Sequence, residues 1–179
     1  MSTQALAIDP RYPIGKFQYQ GPYSETQRQR LISILTDLPT KLRAAVAGLN
    51  EKQLDTPYRD GGWTVRQTVH HVADSHMNSF IRFRWAITED SPTIKPYNEA
   101  LWAEIPDAKE PVEVSLTLID SLHRRLVVML NTFSPEQWTR TLMHPENGVM
   151  TLDKMLGLYA WHSQHHVAHI TELRKRMGW

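Results

Sequence analysis

Cysteine is absent from all 179 residues. That absence excludes disulfides, thiolate metal ligands and a cysteine nucleophile, and it leaves histidine and carboxylate as the strong metal ligands. An excess of either charge is missing too, since 20 basic and 19 acidic residues give a formal net charge of +1. With no basic block to track a phosphate backbone, nucleic-acid binding has no electrostatic support. Long apolar runs are also lacking. Nothing approaches the ~18 residues of a membrane span. Met1 to Tyr12, interrupted by Asp9, Pro10 and Arg11, holds no apolar run of signal-peptide length. A cytoplasmic protein with no membrane or nucleic-acid partner is expected, in one domain spanning residues 1–179, and 41% hydrophobic residues suffice for its core.

Helical patterning is abundant. Residues 1–23, with Pro10, Pro13, Pro22, Gly15 and Gly21, read as an irregular arm. Ser24 and Gln27 have capping-box spacing, and apolar residues at Leu31, Ile34, Leu35, Leu38, Leu42, Val46 and Leu49 predict a helix that Pro39 should kink or break. Thr64 and Gln67 repeat that spacing ahead of a helix reaching about Thr88. The proline-rich stretch 90–112 predicts an extended crossover with a short helical piece at 98–104. Leu116, Ile119, Leu122, Leu126 and Met129 predict a third long helix. Ser134 and Pro135 open a short one, Asn147-Gly148 marks a tight loop or hairpin, and a last helix runs from Leu152 to Met177. Four long helices with crossover connections point to an all-α four-helix bundle, which builds metal sites from side chains on facing helices.

Seven of the nine histidines fall in two short runs: His70, His71 and His76, then His162, His165, His166 and His169. Neutral imidazole is a common metal ligand, and three imidazoles with an open position make a catalytic metal site. An isolated helical histidine is more often structural. Two clustered runs reverse those odds. At roughly 100° per residue, the apolar stripe of the last helix includes His166 and has His162 at its edge, whereas His165 points towards the outer face and His169 lies between. His76 lies on the apolar stripe of its own helix, a better core residue than ligand. Periodicity leaves His70 and His71 tied as the third ligand. The pair lacks the Glu of H-E-x-x-H, which argues against that protease class.

The segments T-P-Y-R-D-G-G-W-T-V-R-Q-T-V-H-H-V-A-D-S-H-M-N-S at 56–79 and G-L-Y-A-W-H-S-Q-H-H-V-A-H-I-T-E-L at 157–173 closely resemble the YfiT branch of the DinB-like metalloproteins. Y-P-I-G-K-F at 12–17 and H-P-E-N-G near 144 extend the resemblance over nearly the whole chain. Gln164, often His in relatives, is a departure at a non-ligand position. The resemblance implies a four-helix bundle of DinB/YfiT type with a crossover connection, plus a short extra helix and a hairpin. It also implies a homodimer and one metal per subunit held by His71, His162 and His166, and so chooses His71 over His70.

The expected activity is that of a metal-dependent hydrolase acting on a small-molecule substrate, with zinc or nickel activating water. Bound zinc can bring the pKa of water to about 7 without a Ser or Cys nucleophile. Asp74 is expected to orient a ligand imidazole or to pair with a neighbouring arginine, and Tyr58, Arg59, Asp60 and Trp63 to line the pocket mouth, with packing as the alternative and favoured role of the Trp63 ring. One alternative is a metal-dependent transferase using a low-molecular-weight thiol. Another is a non-catalytic bundle that binds metal opportunistically.

Overall fold

The computed structural model describes residues 9–179, so the first eight residues of the expected 1–23 arm lie outside the described residues. Four long helices build the core: α1 (Glu25–Val46), α3 (Val65–Thr88), α5 (Val112–Leu130) and α7 (Leu152–Met177). Three short ones join them: α2 (Glu51–Leu54), α4 (Glu99–Trp102) and α6 (Pro135–Thr139). Strands β1 (Thr141–His144) and β2 (Gly148–Thr151) pair antiparallel, with Thr141 opposite Thr151 and His144 opposite Gly148.

The helix starts follow from their caps. Ser24 with Gln27 and Thr64 with Gln67 form complete capping boxes, which satisfy backbone N–H groups that lack helical partners. Asn50 with Gln53 forms a further one for α2, a helix too short to show in the apolar periodicity. Of the kink or break expected at Pro39, the break does not occur: α1 runs through it, and Leu38 and Leu42 on either side are buried. Gly178, at φ 71°, ends α7 in the left-handed region that favours glycine.

Long-range bonds give the helix directions. Leu35 meets His123, and Arg43 meets Glu113 and Asp120, so α1 and α5 are antiparallel. His70 bonds Ser115 while His76 bonds His123, so α3 and α5 are parallel. Arg28 bonds Asp153 and Arg174 bonds Ala45, which makes α1 and α7 parallel. The bundle is therefore up-down-down-up. Because α3 and α5 run the same way, the connection between them must return along the bundle, as the expected crossover does; at about 1.5 Å per residue, α3 is ~36 Å long. Two apolar clusters fill the interior. One centres on Phe83, Leu126 and Leu156, the other on Leu38, Val69 and Ile119. No helix among the described residues is long and apolar enough to cross a membrane.

The arm is tied to α7 through Asp153, which is 3% exposed. Its carboxylate accepts from Arg28 Nε at 2.7 Å, Tyr19 Oη at 2.8 Å and the Tyr23 backbone N–H at 2.9 Å. Further along the arm, Trp161 Nε1 donates to the Gly15 carbonyl at 3.1 Å.

Candidate metal centre

His71 faces the interior from α3, while His162 and His166, one turn apart, face it from α7. Each offers one nitrogen, and the three nitrogens lie within 4.8 Å of one another. His71 Nε2 and His162 Nε2 are 3.2 Å apart. Nitrogens bound to one tetrahedral zinc at 2.0–2.1 Å stand roughly 3.4 Å apart, so this pair has the spacing a shared ion requires. The donor set also fits, since three imidazoles suit a divalent first-row metal. Burial pushes His71 down to about 4, and it holds His162 and His166 well below the usual imidazole range. All three are then uncharged at neutral pH, the form that ligates.

His76, His123 and His169 form an outer layer. His76 Nε2 is 3.2 Å from His162 Nδ1, and His123 Nε2 is 3.0 Å from His76 Nδ1. His169 Nδ1 is 3.4 Å from His166 Nδ1, and its Nε2 is 3.4 Å from the Arg11 carbonyl in the arm. His70, tied with His71 by periodicity, has its own partners: Ser115 Oγ at 2.7 Å and the Glu110 carbonyl at 3.0 Å. His165 departs from expectation. It is buried between Trp161, stacked at 4.3 Å, and Tyr12 of the arm, because the arm covers what helical angle alone marks as an outer face. His123, outside both runs, was missed. Its signal is positional, because it lies on the stripe of α5 between Ile119 and Leu126 where an apolar residue is the norm.

Among the described residues, two cavities border the centre. One, of about 270 Å³, has His71, Asp74, Tyr97, Glu99 and Trp102 in its wall. The other, of about 190 Å³, lies beside His162 and is lined by Ser75, Arg82, Glu99, His144 and Tyr159. Asp74 makes neither expected contact: its carboxylate bonds no site imidazole and pairs with no arginine. It is a wall residue of the larger cavity, and burial, with Asp107 nearby, pushes it up to about 6. Trp63 packs on His71 at 4.4 Å between centroids and on His166 at 6.4 Å. Arg59 lines neither cavity. Its guanidinium lies over the Tyr58 ring, which in turn stacks on His169 at 4.0 Å.

Residues 26–170 match the family model of the DinB superfamily. A Bacillus cereus (strain B4264) protein named "putative metal-dependent hydrolase" is 57% identical over 171 residues, 96% of this chain and 99% of that one. A Bacillus mycoides (strain KBAB4) protein of the same name is 56% identical over the same extent. YfiT from Bacillus subtilis, whose solved structure is described as "a probable metal-dependent hydrolase with an unusual four-helix bundle topology", matches with a TM-score of 0.93. It is 49% identical, and the match covers 95% of this chain and 98% of that one. With relatives this similar along nearly its whole length, the chain belongs to the DinB superfamily, in its YfiT branch.

Proposed function

We propose that the protein is a metal-dependent hydrolase whose zinc or nickel ion is held by His71, His162 and His166. The observation that carries this reading is the convergence of three uncharged imidazoles beside a cavity large enough for a small molecule. The names of its relatives support hydrolysis as the reaction. When bound, such a metal supplies a Lewis acid and brings the pKa of a water towards 7, with three protein ligands leaving a further position open.

The chain's own groups supply the rest. The Trp63 ring covers one side of His71 and His166 and keeps bulk water from it. Asp74, poised near 6 in the cavity wall, takes up or releases a proton in the neutral range. The buried Tyr97 hydroxyl, without a hydrogen-bond partner, and Arg82 offer donors to a polar substrate. The working form in this reading is a cytoplasmic homodimer. Val114 and Leu118 in the cavity wall, with nearby Leu101 and Ile105, expose apolar surface in support of self-association.

Metal analysis of untagged protein, with ester and amide hydrolysis assayed before and after chelation, tests the proposal. About one zinc or nickel per subunit and chelator-sensitive hydrolysis are expected. His71→Ala should weaken zinc binding by more than ~100-fold, beyond the 10–100-fold typical of an outer partner. Wild type that binds no metal, or thiol-dependent turnover of electrophiles without hydrolysis, would overturn it.

A further inference from the structure

We propose that His123 and His76 are positioning residues that fix the proton of His162 on Nδ1 through a relay anchored at the Leu35 carbonyl. The relay begins with Pro39. Four residues after Leu35, it has no N–H to donate, so the Leu35 oxygen lacks its helical partner. His123 Nδ1 fills that place from α5 at 2.7 Å. A carbonyl can only accept, so His123 carries its proton on Nδ1 and its lone pair on Nε2.

The polarity then propagates. His76 Nδ1, 3.0 Å from His123 Nε2, must donate, which leaves the lone pair of His76 on Nε2. That atom, 3.2 Å from His162 Nδ1, accepts from it. His162 is left with its lone pair on Nε2, the atom that stands 3.2 Å from His71 Nε2. The opposite polarity would set two lone pairs against each other across the 2.7 Å contact. Water cannot relieve that conflict, because His123 is 1% exposed and His76 is 0% exposed. Nor does the chain conduct protons to solvent, since it ends on an amide carbonyl inside the bundle. Its effect is orientation: the ligating nitrogen of His162 is bare before any metal arrives.

The role in metal binding rests on the three-histidine reading, whereas the proton positions can be measured without metal. Long-range ¹H–¹⁵N spectra of metal-free protein should place the proton of His76, His123 and His162 on Nδ1. Titration with Zn²⁺ against a competing chelator should show His123→Leu weakened about 10–100-fold. His123→Gln, whose amide can both donate to Leu35 and accept from His76, should recover most of that loss. A rigid packing role predicts no such rescue. His162 protonated on Nε2 in wild type, or folded His123→Leu with an unchanged zinc Kd, overturns the relay. If His123→Leu fails to fold, the wild-type proton positions and the Gln variant decide. Wild type that shows the expected proton positions but binds no zinc would leave the orientation standing and remove the metal reading.

Discussion

Asp74 sits in a cavity wall where a carboxylate is poorly solvated, and that cost has a sign and a pH window. Its pKa rises from 3.8 to about 6 on folding, so the folded state favours the neutral acid; the stability this gives is present below 3.8 and is lost as pH rises through 6. In metal-free protein, Asp74→Asn should therefore raise stability above pH 6 and change nothing in strong acid. Allowing for partial screening by cavity water, the gain is of order 1–2 kcal/mol. Urea unfolding at both pH values measures it, and a loss of stability at pH 7.5 would contradict this account. At this scale the sequence was partly readable. Helical angle selected His162 and His166, but it could not separate His70 from His71, because adjacent residues on a helix differ by only ~100°. The tie rested on the resemblance, and the fold places His70 against Ser115 instead. His123 was unreadable as a site residue because its partners, Leu35 and His76, are 88 and 47 positions away in the chain.

Among the elements, the long helices, the crossover and the hairpin were legible from caps and periodicity, since these signals are local. What the arm does was not. Its attachments to Asp153, Trp161 and His169 are tertiary, and no periodicity announces them. Gly157 on α7 is part of that attachment. A Cβ there would meet the Tyr23 side chain, with ring carbons at 2.9 Å and the hydroxyl closer still. Alanine favours the helix over glycine by up to ~1 kcal/mol, whereas overpacking costs about 1–3 kcal/mol. Gly157→Ala should thus be a net destabilisation, seen as a lowered Tm. A raised Tm would mean that the arm yields without cost.

The whole molecule responds to acid through its histidines. Burial is the leading cause that lowers all nine below the ordinary imidazole value, with His71, His165 and His169 each brought to about 4. A group whose folded pKa is depressed from 6.5 to about 4 resists protonation when folded and accepts it when unfolded. Stability is intact above 6.5 and falls as pH drops towards 4, by up to ~1.4 kcal/mol per pH unit for each such histidine. Asp74 and Glu99, both raised by burial, work in the opposite sense but are two groups against nine. Metal-free protein should show a much lower urea midpoint at pH 5 than at pH 7.5, and equal midpoints would contradict the buried histidine layer. The direction of α3 and α5 has a different consequence. Because they run parallel, the 89–111 connection has to travel back over the bundle, and on its way it supplies Tyr97, Glu99, Trp102 and Asp107 to the cavity wall. The three converging histidines all stand on α3 and α7. The crossover thus supplies much of the larger cavity's wall without contributing any of the three histidines, so exchanging it with that of a relative is expected to reshape that wall and leave the histidine centre untouched.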